Sequence, residues 1–161
     1  MDPLAVSGLS VLMSLISSIV AATLLVWPWL RAKSRREALL WLVTPHMFLR
    51  FLGLSFLVPG VVSESLPKAW AIPAAYGDCA AGILAIIAAS ALARTASWAI
   101  VAVWIFNVWG AADFLFAMYQ GPRVHLVPGW LGAGFYVVTA IVPPLFVSHA
   151  LIFRELRRPA A

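Results

Sequence analysis

Between Asp2 and Arg31 the chain runs without one charged side chain, and four more stretches of similar length follow, carrying at most one charge each. No other feature constrains the fold as tightly. An α-helix needs about 20 apolar residues to cross the hydrocarbon core of a bilayer. Inside lipid the backbone must satisfy its own hydrogen bonds, so runs of this kind become helices. The pattern predicts five transmembrane helices at about residues 4–30, 39–62, 70–93, 97–119 and 130–153. The expected architecture is an all-α integral membrane bundle, one transmembrane helical domain over residues 1–161. Composition agrees: 11% of residues are charged, against about 25% in ordinary soluble domains. The first run lacks the basic start of a secretory signal and is too long for its apolar core, so it is expected to stay in the mature chain.

Five spans put the chain ends on opposite sides. Arg31, Lys33, Arg35, Arg36, Arg94, Arg154, Arg157 and Arg158 fall on one side, and only Lys68 and Arg123 are basic on the other. Basic residues stay cytoplasmic, which predicts the N-terminus out and the C-terminus in. The expected location is a bacterial-type inner (plasma) membrane. Topology and contact with anionic lipid account for the basic patch, so no nucleic-acid partner is expected.

Small residues mark helix faces that can approach one another. Ser7, Ser10, Ser14, Ser17 and Ala21 form such a stripe in the first span, and Ala74, Gly77, Ala81, Ala85 and Ala88 in the third. Both spans are expected inside the bundle or against a second copy. Trp27, Trp29, Trp41, Trp70, Trp98 and Trp130 lie near span ends, as interfacial belts require. Trp104 and Trp109 lie deeper.

Charges enter only the middle spans: Arg50 in the second, Asp78 in the third and Asp113 in the fourth. A charge at the bilayer centre costs roughly 2.5–3.5 kcal/mol or more, so such groups face the bundle interior and pair. Side chains lean towards their helix N-terminus, which turns Asp113 towards Arg50. The expected ion pair is Arg50–Asp113, with Asp78 protonated or hydrogen-bonded to Tyr76, Asn107 or water. A structural clamp and a ligand or proton site remain equal alternatives. His46 shares a face with Arg50 at i, i+4, and His149 lies at similar depth in the fifth span. Their placement permits a haem ligated by both histidines, or a shared proton path. No firmer metal site is readable. Pro143 and Pro144 deprive the carbonyls of Thr139 and Ala140 of their helical donors. A cavity bounded by that break, His46, Arg50 and His149 is one expectation, and a simple kink the other.

The single cysteine, Cys79, excludes an intrachain disulfide and a cysteine-cluster metal site. No nucleophile elbow, phosphate-binding glycine loop or zinc-protease motif occurs.

Arg50, Gly53, Phe56 and Gly60, then Asp78 followed by Gly82, with Arg94 after the span, carry a resemblance to the DoxX/DoxD-like small integral membrane proteins over about residues 50–94. The arginine-to-glycine spacing is one residue shorter than usual there, and Ser63-Glu64-Ser65 stands where a lysine is expected. The resemblance implies a subunit of a quinone-linked or thiol-redox membrane complex, with Arg50 and Asp78 as the residues carried over.

The first functional expectation is a multi-pass protein with a buried polar pocket for a small or lipid-like ligand, in which His46, Arg50, Asp78, Asn107, Asp113 and His149 take part. Haem and quinone are the candidate cofactors. A homo-oligomer or a membrane complex is the candidate assembly. The alternatives are a proton-coupled transport or permeation subunit and a structural scaffold without ligand.

Overall fold

A computed structural model describes residues 2–159. Its long helices are α1 (Pro3–Arg31), α2 (Arg35–Leu57), α3 (Lys68–Ala93), α4 (Ala99–Arg123) and α5 (Gly134–Leu156). Each is long and apolar enough to cross a membrane, and no strand occurs among the described residues. The protein is an all-α bundle of five such helices, the architecture of a multi-pass membrane protein.

Helix ends follow local chemistry more than hydropathy. Ser34 and Glu37 form a reciprocal capping box, so α2 starts at Arg35 rather than Leu39. It ends at Leu57 rather than Val62, because Pro59 disfavours the helical conformation at Val58, which is extended. Gly60 then turns with φ +82°. The fifth helix begins at Gly134 rather than Trp130. Pro128–Leu131 winds as a separate short 3-10 turn, and Gly132 breaks the chain with φ +51°. A side chain on Gly132 would collide with the Val61 carbonyl. The Ala133 N–H donates to that carbonyl at 2.9 Å, which ties the two loops at this end of the bundle together.

Two further breaks are π-helical: Ala22–Val26 ahead of Pro28, and Val137–Ile141 ahead of Pro143 and Pro144. Proline has no N–H and crowds the carbonyl four residues back, and a widened turn absorbs both effects.

α3 is the central helix. Its buried alanines Ala74, Ala81, Ala85 and Ala88 let α2 and α4 approach closely, as the stripe predicts. The stripe on α1 does not place that helix inside the bundle. No residue of Pro3–Ala21 is buried, and α1 lies outside the bundle along α5. Trp70 departs from the expected belt as well. It is buried, and its indole N–H donates to the Ala117 carbonyl at 3.0 Å.

Two apolar clusters form along the bundle. Leu39, Leu42, Val43, Leu92, Val103, Phe106 and Ile152 pack towards the basic end, and Phe56, Leu66, Trp70, Ala74 and Leu131 towards the other. Apart from Glu155 at the basic end, the buried polar side chains of α2–α5 lie between them. At the basic end, Arg35 donates to the Glu155 and Leu156 carbonyls of α5, and Arg36 to the Leu92 and Ala93 carbonyls of α3. Both arginines satisfy orphan carbonyls and oppose the negative end of a helix dipole.

Candidate functional site

Arg50 lies where α2 tightens from α-helix to 3-10 helix, and it is 1% exposed. One terminal nitrogen donates to Asp78 Oδ1 at 2.5 Å and to Asp113 Oδ2 at 3.0 Å. The other reaches the Gly110 carbonyl at 2.7 Å and His149 Nε2 at 2.8 Å. Its flat face covers the Phe114 ring, with the guanidinium carbon 3.5 Å from the ring centroid. One cation therefore joins α2, α3, α4 and α5. The expected exclusive pairing with Asp113 is replaced by a shared one, with Asp78 at the shorter distance. Tyr76 does not support either carboxylate; it is exposed. Asn107 does not either, because its side chain is turned to His149.

Hydrogen-bond chemistry fixes the histidines. A guanidinium only donates, so His149 Nε2 accepts and the ring carries its proton on Nδ1. That proton meets Asn107 Oδ1 at 2.7 Å, and Asn107 Nδ2 returns a bond to the His149 carbonyl at 3.2 Å. Ser148 Oγ donates to the Leu145 carbonyl and stands 2.5 Å from His46 Nε2, which therefore donates to it. The two histidines thus hold opposite tautomers. His46 Nδ1 and Arg50 Nε are left buried without a partner.

Three glycines on three helices make room for these groups. A methyl group on Gly53 would collide with the Asp78 side chain and one on Gly77 with the Asp113 carboxylate. On Gly110 it would stand 2.6 Å from His149 and 2.7 Å from Arg50.

The groove beside the proline break is lined by Pro45, Ala140, Pro144 and Ser148 rather than by His46, Arg50 and His149. Both histidines and Arg50 are packed solid, and space opens on either side of them. A pocket of about 200 Å³ lies towards the loops opposite the basic end, walled by Phe56, Trp70, Phe114, Ala117 and Val138, with Asp78 and Asp113 at its floor. A groove of about 540 Å³ runs between α1 and the rest, and it meets the polar side chains at Ser148. The carboxylate of Asp113 also borders a groove of about 380 Å³ beside Tyr76 and Trp109 on the α3–α4 surface.

A haem held by both histidines does not fit. The ring centroids of His46 and His149 are 4.5 Å apart, so no macrocycle lies between them. Three of the four ring nitrogens are already engaged. No group of three or more metal-binding His, Cys, Asp or Glu side chains occurs among the described residues.

The family model described as "Domain of unknown function (DUF8737)" matches residues 6–157, almost the whole chain. The chain belongs to this family. No curated protein and no solved structure matches it.

Every expected site residue is near the cluster, although His46 touches it only through the His149 ring. Sequence reasoning passed over Phe114, Gly110 and Ser148. Gly110 had a signal: Asn107, Gly110 and Phe114 recur at spacings of three and four on one face of α4, and a glycine on a polar stripe marks a close approach.

Proposed function

We propose that this protein binds the head of a lipid-like molecule in the pocket above Arg50, with a membrane quinol as the candidate, and serves as a subunit of a quinone-linked complex in a bacterial-type inner membrane. The observation that carries the reading is the floor of the pocket. Two carboxylates share one guanidinium under walls that are otherwise apolar and aromatic. Two acids and one base leave a surplus acceptor, which suits a ligand that donates a hydrogen bond. A hydroquinone hydroxyl donates; a quinone carbonyl cannot. About 200 Å³ is below the roughly 300–1,000 Å³ of a pocket for a whole drug-sized ligand. It suits a ring between Phe56, Trp70 and Phe114, with the tail left in the bilayer. The DoxX/DoxD-like resemblance supports the same reading, since the two residues it carries over, Arg50 and Asp78, are in direct contact.

A proton relay is a weaker fit. The guanidinium between the carboxylates and the histidines has no accessible neutral form, and the His46 and His149 rings meet at a 54° tilt without a hydrogen bond between them. The proposed orientation, N-terminus out, rests on the basic side chains gathered at one end of the bundle, and a reporter fused after Arg158 reads it directly.

Ligand that binds only the folded state raises stability by about 2.7 kcal/mol at one hundred times its Kd. Detergent melting with a short-tailed quinol should therefore raise the Tm of the parent and leave Ala117→Leu unmoved. Ala117 is half-buried on the pocket wall, so the larger side chain fills space rather than breaking the core. Equal shifts in both proteins would remove the pocket as the site.

A further inference from the structure

The basic end of the bundle is not uniformly occupied. Arg35 and Arg36 are bound to helix carbonyls, whereas Arg31 of α1, Arg154 of α5, and Arg157 and Arg158 just after it line a separate pocket of about 420 Å³ together with Trp27, where Arg158 alone also reaches a carbonyl, that of Lys33 at 3.4 Å. Arg157 caps the C-terminus of α5, three residues after Arg154, and Arg158 follows it just beyond the helix. Arg154 lies flat on Trp27, its guanidinium carbon 3.3 Å from the ring centroid. Stacking holds the planar fork in place and leaves its N–H edges free to donate. Among the described residues no acid lines this pocket; the nearest pairing is behind it, where the fully buried Glu155 meets Arg158 at 3.5 Å. Four guanidinium groups lining one pocket without an acid repel one another unless an anion joins them. Paired N–H donors of arginine match phosphate oxygens in a two-pronged contact.

We propose that Trp27, Arg31, Arg154, Arg157 and Arg158 form a binding site for a phosphate group, supplied by the head of an anionic phospholipid. The site is at the ends of α1 and α5, where lipid phosphates lie if these helices span the bilayer, and basic pockets between transmembrane helices take such heads. It is separate from the Arg50 cluster and does not depend on the ligand proposed there.

The test is lipid retention by the whole protein, counted by native mass spectrometry after exposure to equal amounts of phosphatidylcholine and phosphatidylglycerol. The parent should retain phosphatidylglycerol at least about tenfold over phosphatidylcholine, a free-energy difference of about 1.4 kcal/mol. Arg154→Gln/Arg157→Gln should abolish the preference while melting like the parent in phosphatidylcholine discs. Arg94→Gln/Arg123→Gln removes the same charge elsewhere and should keep it. Inorganic phosphate distinguishes the source. Failure to displace the lipid assigns the site to the head group, and displacement that requires Arg154 and Arg157 assigns it to phosphate from solution. No preference in the parent, an unchanged preference in Arg154→Gln/Arg157→Gln, or equal loss in the control pair would overturn the proposal.

Discussion

Arg50→Leu is expected to cost about 3–5 kcal/mol of stability in detergent melting, the usual range for removing one member of a buried ion pair. The change strands two carboxylates and leaves the Gly110 carbonyl and His149 Nε2 without their donor. Either aspartate alone should matter far less. Asp78→Asn still offers Arg50 an oxygen and leaves Asp113 as its counter-charge, so the cost is about 1 kcal/mol, that of one weakened hydrogen bond. Asp113→Asn should behave alike. The double change Asp78→Asn/Asp113→Asn leaves a buried guanidinium with no counter-charge and no accessible neutral form. It should be at least as damaging as Arg50→Leu. Replacing all three with leucine should recover much of the loss, because apolar groups can substitute for a buried ionic cluster. If either single aspartate change costs as much as Arg50→Leu, the sharing of one cation by two acids is wrong.

Gly110→Ala is expected to be strongly destabilising. The added carbon would approach His149 to 2.6 Å and Arg50 to 2.7 Å. Neither can retreat: His149 is held by Asn107, and Arg50 by both aspartates. Overpacking of this kind costs about 1–3 kcal/mol before any polar contact is lost. Losing the bond from Arg50 to the Gly110 carbonyl adds about 1.5–3 kcal/mol, the value for a hydrogen bond to a charged group. The control is Gly8→Ala on α1, where nothing lies within 4 Å of the new carbon, and it should melt like the parent or slightly higher. Comparable melting of the two variants would mean that α4 does not pack on the cluster as described.

The five spans were legible because hydropathy and length act on each helix separately, and the solvent leaves the backbone no alternative. The buried charges were legible for the same reason: Arg50, Asp78 and Asp113 are out of place in any apolar run. Their pairing was not. It depends on which helices are neighbours and how each is rotated, and a lean towards the N-terminus is too small an effect to decide between two acids on adjacent helices. The serine stripe of α1 did not bring that helix inside the bundle, on related grounds. Small residues permit close approach but do not supply the partner, and α1 leaves a groove of about 540 Å³ where contact was expected. Helix ends shifted wherever a proline or a capping box outweighed hydropathy, as at Pro59 and Ser34. Phe114 and Ser148 carry no signal at all, since phenylalanine and serine are unremarkable in a transmembrane helix.

The most direct measurement is the lipid extract of the protein isolated in native membrane discs, analysed for quinone and quinol and compared with the extract of Ala117→Leu. Quinol enriched over the surrounding bilayer to about one molecule per chain in the parent, and reduced to the bilayer level in the variant, is the expected result. Extracts that match the bilayer in both proteins would contradict a quinol site above Arg50.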